Sequence, residues 1–357
     1  MLSRIKKMLG EKNRSTKVII TGCLAATNKT EIQNISSDLI VLDTKLESLC
    51  KALGIDTKAF SPKISHKKFH KYSSIIQISV GCLGNCTYCA TKLARGELHS
   101  YSIDEINKAF KKALKDSKEI WITSQDLGCY GFDIKTNLVN LLKTLLENKG
   151  DYRIRLGMMT PNHFLKIKEG LMPLFEDERM FKFLHLPLQA GADKVLKKMN
   201  RKYSIKQYLS AVDYIKKKVP DLTISTDVIV GFPGETKNEF KQTLKILKET
   251  KPLIVNISRY GKRKGTVAAT LPNQLTEQEK KERSKEVTAF LKEQMLVQNK
   301  TMVGKKFRAI VSNKAPKDFF VARINSYRPV LVPSKMGEFI DLEVTEAFSH
   351  FFKGKIL

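Results

Sequence analysis

The sequence predicts an α/β fold: a partial barrel of six strand–helix units, with a short α/β segment before it and a small β-barrel after it. Three observations lead there. From Ser74 to about Tyr260, apolar runs of strand length alternate with stretches of helical periodicity. Several of those helices open with a Ser/Thr-x-x-Glu/Gln start signal: Ser102 with Glu105, Ser204 with Gln207, Thr236 with Glu239. After Gly304 the pattern changes to short alternating runs separated by Gly, Pro and Asn, as in a small barrel.

Taken in order, residues 1–53 read as helix, strand, helix. Leu2, Ile5, Met8 and Leu9 share one helical face, and Lys17–Thr21 is a short apolar strand ending at Gly22-Cys23. Residues 54–71 carry Pro62 and many cations and read as a linker. The core strands are predicted at Ile75–Val80, Glu119–Thr123, Tyr152–Gly157, Phe183–Leu188, Leu222–Val230 and Leu253–Arg259. Thr276 with Glu279 starts a helix rich in Lys and Glu that runs to about Thr301. Lys306–Ser312, Phe319–Asn325, Arg328–Pro333, Glu338–Thr345 and Phe351–Leu357 are the strands of the small barrel. The expected boundaries are therefore 1–53, 54–73, 74–300 and 301–357.

Of the 357 residues, 42% are hydrophobic and 28% charged, which excludes collagen-like, low-complexity and wholly disordered chains. The longest uncharged stretch, Tyr72–Thr91, is broken by Ser, Gly, Asn and Cys, so no membrane segment is expected. The N-terminus has no apolar core of a secretory signal, and a reducing, cytoplasmic location is expected. A net charge of +28 points to a polyanion, RNA or DNA before a membrane. A lysine-rich composition alone reads equally as genomic bias or a high-temperature lifestyle. The terminal barrel is basic too, the composition of a nucleic-acid platform; a structural cap is the alternative.

Six cysteines occur, and Cys82, Cys86 and Cys89 follow a predicted strand with C-x3-C-x2-C spacing. Three thiolates on one short loop can hold three irons of a cubane cluster and leave the fourth iron open to a substrate or cofactor. Structural zinc wants four closed ligands, and this loop offers three. His99 lies ten residues beyond Cys89, away from the usual offset, and reads as a surface or core histidine.

The triad after a strand, with Tyr88 just before the third cysteine, resembles the radical S-adenosylmethionine superfamily. The resemblance implies a 4Fe-4S cluster whose open iron is chelated by S-adenosylmethionine. One electron then cleaves the sulfonium and yields a 5′-deoxyadenosyl radical. It is closer still to the tRNA methylthiotransferases, through Arg95-Gly96, Thr123–Asp133 (TSQDLGCYGFD), Arg153–Pro161 (RIRLGMMTP), Phe183–Tyr203, Thr226–Thr236 (TDVIVGFPGET) and Arg263–Ala269 (RKGTVAA). Gly304–Leu357 resembles that family's C-terminal TRAM domain, an RNA-binding barrel. The variants GCYGFD, GMMTP and KGTVAA are similar to the archaeal and eukaryotic branch, which implies a methylthio group added at C2 of N6-threonylcarbamoyladenosine beside the anticodon. That C2–H is unactivated, which favours radical over polar chemistry, and a single-stranded anticodon loop lowers the cost of extruding the base.

The resemblance implies Cys82, Cys86 and Cys89 as cluster ligands. It places cofactor contacts at Gln125 and Asp126, which end the second core strand. Gln189 is expected to contact the cofactor as well, pointing into the barrel the same way as His185. Gly231 and Gly234 permit close backbone approach at the cofactor pocket, or simply make a tight turn. Tyr260 and Arg263 are candidates for the substrate base, and Lys194, Lys197, Lys198, Arg201 and Lys202 for the tRNA backbone, against the reading of a solvated helix face.

The family's N-terminal domain has three cysteines for a second cluster. Thr21–Ala25 (TGCLA) matches the motif around the third, so Cys23 is expected as one ligand of an incomplete site. The other two would lie upstream of Met1, which implies a misassigned start, a separate partner chain completing the domain, or loss of the second cluster; the first two are favoured. Cys50 is a candidate stand-in ligand but falls in a helical pattern and reads as a buried small hydrophobe, and Cys129, at a strand end, reads as either near the active site or simply packed. An electron donor is implied as a further partner. Two other functions stay open: a methylthiotransferase acting on a ribosomal protein, and a catalytically impaired RNA-binding remnant.

Overall fold

The computed structural model describes residues 2–11, 16–56, 64, 66–70, 72–316 and 318–357. They form two compact units.

The first unit comprises Met1–Lys63, Gly81–Glu97 and Lys262–Leu271. Strand Val18–Ile20 pairs in parallel with Leu39–Val41, a strand the sequence reading missed. Three apolar residues, Leu39-Ile40-Val41, are too short a run to separate from a helix end by periodicity. The strand expected at Lys17–Thr21 is thus paired on one side. Ile5 of helix Leu2–Glu11 joins Val18, Ala25, Ile32, Leu39 and Val41 in a small core. Met8, expected on the same face, is 47% exposed, because one short helix can bury only a narrow stripe against two strands. Gly54 closes helix Leu46–Leu53 in the left-handed conformation. Of the expected linker, residues 57–63, 65 and 71 lie outside the described residues, whereas His66–His70 form a strand antiparallel to Ser73–Gln77.

The second unit holds Ile64–Val80, Leu98–Gly261 and Pro272–Leu357. Ser73–Gln77, Glu119–Thr123 and Arg153–Leu156 are consecutive parallel strands. Phe183–His185, Thr223–Val230 and Ile254–Arg259 form a second parallel set. Single bridges from Ile154 to Met180 and from Met158 to His185 join the sets into a partial six-stranded barrel. All four capping boxes form, at Ser102, Ser204, Thr236 and Thr276.

The C-terminal strands Lys306–Lys314, Phe320–Ile324, Pro329–Val332, Phe339–Ala347 and Phe352–Ile356 close into a barrel. Alternate residues fill its interior, among them Ala309, Val311, Ala322, Ile324, Leu342 and Val344. Register shifts at Val311/Asn313 and Val344/Glu346 bend its two longest strands, as closure of so small a barrel requires. The barrel is seated on the core through Tyr327, which packs with Phe181, Phe183 and Ile310. The Arg155 guanidinium lies over the rings of Trp121, Phe183 and Tyr327. Among the described residues no helix is long and apolar enough to cross a membrane.

Candidate active site

Three thiols lie on one short loop in the first unit. Gly81 starts it at φ +76°, and a Cβ there would stand 1.8 Å from the Glu97 carbonyl oxygen, so only glycine lets the two ends of the loop pass. Lys92 holds the turn: its Nζ donates to the Cys82 carbonyl at 2.6 Å and pairs with Glu97 at 2.9 Å. Cys89 is the extended N-cap of helix Ala90–Arg95, and its amide donates to the Cys86 carbonyl at 3.1 Å. All three cysteines are half-buried, and none of the six cysteines is in a disulfide.

The donor set fits an iron–sulfur cluster. The Gly84 amide donates to Cys82 Sγ at 3.2 Å, the kind of bond that stabilises a thiolate and tunes a cluster. A Cβ at Gly84 would touch both sulfurs, 3.4 Å from Cys82 Sγ and 3.8 Å from Cys86 Sγ, so glycine keeps the space beside them open.

Cys23 is exposed at the start of helix Cys23–Thr27. It lines a cavity of about 500 Å³ together with Thr27, Tyr88, Cys89, Arg263 and Lys264. The structure thus brings Cys23 and the third cysteine of the triad to one space, with a basic wall. Cys50 is 3% exposed.

In the second unit, Gln125 follows the Glu119–Thr123 strand, and its Oε1 is buried without a hydrogen-bond partner. Gln189 Oε1 is in the same condition. The expected alternation from His185 to Gln189 does not hold, because the strand ends at His185 and Gln189 takes φ +66°. Its backbone is instead stitched to the next strand, to the Asp227 carbonyl and the Ile229 amide. A polar ligand can supply the donors that such buried acceptors lack.

Asp126 is 1% exposed. Its Oδ1 accepts from the Gly128 and Thr160 amides at 3.1 and 3.0 Å. Its Oδ2 accepts from Thr160 Oγ1 at 2.7 Å and lies 2.7 Å from His163 Nδ1. Burial pushes the carboxyl up, but His163 and Thr160 outweigh it and hold it below the ordinary range. Its carboxylate is thus spent on organising the strand end. His163 was not singled out from the sequence, where it is one more residue on a helix starting at Pro161; the spacing carries no signal because its partner lies 37 positions away. Buried Cys129 packs beside this node, Sγ 3.2 Å from the Asp126 carbonyl.

Gly231 and Gly234 both have positive φ, +72° and +69°. The Gly231 amide donates to Glu235 Oε2 at 2.7 Å, and Gly234 donates to the Asn273 carbonyl at 2.8 Å. Lys198, a candidate for the tRNA backbone against the reading of a solvated helix face, donates to the Gly234 carbonyl at 3.2 Å and so braces this loop. On the neighbouring strands His185 Nε2 lies 2.9 Å from Asp227 Oδ1, which also accepts from Asn256 at 2.8 Å. Tyr260, expected against the substrate, is 4% exposed with its ring edge-on to Phe232.

Comparison with known proteins agrees with this reading. The family model for the radical SAM superfamily matches residues 76–247, and that for the TRAM domain matches residues 300–357. A protein of Archaeoglobus fulgidus, a probable threonylcarbamoyladenosine tRNA methylthiotransferase, is 37% identical over 99% of this chain and 86% of its own length. One from Pyrococcus horikoshii with the same description is 36% identical over the same shares. The threonylcarbamoyladenosine tRNA methylthiotransferase of Homo sapiens is 39% identical over 79% of this chain and 49% of its own. Among solved structures, the cobalamin-dependent S-adenosylmethionine radical enzyme OxsB is similar in fold. Its TM-score is 0.51 at 12% identity, covering 81% of this chain and 45% of that one. By identity and coverage together, the chain belongs to the threonylcarbamoyladenosine tRNA methylthiotransferase family.

Proposed function

We propose that this chain adds a methylthio group to C2 of N6-threonylcarbamoyladenosine in tRNA. The observation that carries this is the loop of three thiols with an amide aimed at Cys82 Sγ and a glycine where any side chain would touch two sulfurs. Family membership implies a 4Fe-4S cluster and S-adenosylmethionine; when bound they supply a radical able to act on an unactivated C–H bond.

Cys82, Cys86 and Cys89 would hold the cluster. Gln125 and Gln189 offer buried amide oxygens to the donors of S-adenosylmethionine, and the Gly231–Gly234 turn offers backbone without side chains. Asp126 acts at one remove: it fixes Thr160 and His163 and so the strand end that carries Gln125. His185, oriented by Asp227, presents a polar group at the strand ends, where barrel chemistry is placed. Cys23 is the remaining thiol on the cavity beside Cys89 and would serve a second cluster in part. A separate chain completing that site, and an external one-electron donor, are further parts of the proposal. The basic terminal barrel would hold the tRNA backbone.

The test is mass spectrometry of tRNA nucleosides from a strain lacking the gene. Loss of 2-methylthio-N6-threonylcarbamoyladenosine, restored by the intact gene and not by a Cys86→Ala copy, is expected. An unchanged level would exclude the tRNA reading.

A further inference from the structure

A second cavity, of about 540 Å³, lies at the opposite end of the strands from the Gln125, Gln189 and Gly231 loops. Its core-side wall is built from residues that precede strands: Lys182 before Phe183–His185, and Asp221 just before Thr223–Val230. Its other wall is Gln298 near the end of helix Glu277–Lys300, with Lys305, Asn325 and Arg328 of the terminal barrel.

The lining is unbalanced in charge. Three cations, Lys182, Lys305 and Arg328, face it against one carboxylate, Asp221. Arg328 is half-buried over the Phe352 ring, and its guanidinium donates to Asn299 Oδ1 at 3.1 Å and Ser326 Oγ at 3.4 Å, both neutral. Burial lowers its pKa to about 10, with only the charge of Asp221 working the other way. Two polar atoms of the lining, Gln298 Nε2 and Asn325 Oδ1, are buried without a hydrogen-bond partner. One is a donor and the other an acceptor. A bare inorganic anion would satisfy the first and leave the second unmet. The volume lies in the range of small-molecule sites and exceeds what phosphate alone fills.

We propose that this cavity binds a nucleotide, its phosphate facing Lys182, Lys305 and Arg328 and its hydroxyl or amino donors facing Asn325 Oδ1 and Asp221. The same chemistry is offered by a free mononucleotide and by one nucleotide unit of an RNA chain. This inference does not rest on the methylthio-transfer reading, and its assay involves no turnover.

The test is calorimetric titration of the full chain with AMP, adenosine and a short single-stranded RNA. The variants are Lys182→Glu, Lys305→Glu and Arg328→Lys, each checked for folding by circular dichroism; exposed Lys305 is the variant that leaves the barrel intact. For a free nucleotide, AMP binds at one site at least about tenfold tighter than adenosine, and each Glu variant loses about tenfold or more. For an RNA unit, AMP binds weakly, and the Glu variants weaken RNA binding and lower its salt dependence by about one counterion. If neither AMP nor RNA binding changes in the Lys305→Glu and Lys182→Glu proteins, or if AMP binds measurably at one site but no tighter than adenosine, the proposal is wrong.

Discussion

Arg283 Nη1 lies 2.6 Å from Glu235 Oε2, the same oxygen that accepts the Gly231 amide at 2.7 Å. Both side chains are buried, 8% and 4% exposed. The long helix before the terminal barrel therefore fixes, through one carboxylate, the backbone of the turn expected at the cofactor. Arg283 also donates to the Glu235 carbonyl at 3.0 Å, so the turn is held at two points. Removing the arginine leaves a buried carboxylate without its cation, which costs about 3–5 kcal/mol. Arg283→Met is expected to lower the unfolding free energy by that amount, read as the shift of the urea midpoint multiplied by m. The double variant with Glu235→Gln should lose clearly less than the two single losses added together. Additive losses would show that the pair is not coupled.

Gly231→Ala is expected to be harmful for two separable reasons. Its φ of +72° is strained for any side chain, and its Cβ would stand 2.2 Å from Lys280 Cγ. The strain alone costs about 1–3 kcal/mol. In a Lys280→Ala background most of the overlap is gone, with only the Lys280 Cβ left at 3.3 Å, and the strain remains, so the substitution should cost less there. Equilibrium unfolding of the four proteins measures both parts, and equilibrium dialysis with S-adenosylmethionine should show weaker binding in Gly231→Ala.

The Asp126 node predicts a pH signature. Its folded-state pKa is depressed below the ordinary 3.8, so its contribution to stability is complete above that value and is lost as pH falls through the folded-state value. Asp126→Asn is expected to cost about 2 kcal/mol at neutral pH, the worth of hydrogen bonds to a charged acceptor. That difference between the two proteins should shrink as the pH is taken below about 4. Denaturant midpoints measured across this range check it; a difference that grows with acid would contradict the assignment.

Iron content separates the thiols. Anaerobic reconstitution of this chain alone should give about four irons and not about eight. Cys86→Ser should lose most of that iron, and Cys23→Ser should keep it. Eight irons, or equal loss in both variants, would mean that the second site is placed wrongly.

Much of this was legible from residues in order. The core strand Glu119–Thr123 and the capping boxes follow from local patterns, because period-two alternation and a Ser/Thr three residues before Glu/Gln act over a few residues. The cysteine loop was legible for the same reason: its chemistry lies within eight consecutive positions, Cys82 to Cys89. Leu39–Val41 and His66–His70 were missed because a strand of three residues, or one rich in His and Lys, is stabilised by the partner it pairs with.

By itself, the sequence determined the order of the six core strands and of the terminal barrel, the thiol triad and the family to which the chain belongs. Only the folded chain decided that Asp126 is bound to His163, that Lys198 and Arg283 brace the glycine turn, that Cys23 and Cys89 share a cavity, and that Arg328 and Lys182 face a second one. The reason is physical. A hydrogen bond or a cavity wall depends on separation in space. A chain that folds into parallel strands brings together residues tens of positions apart, and no local pattern records which of them will meet.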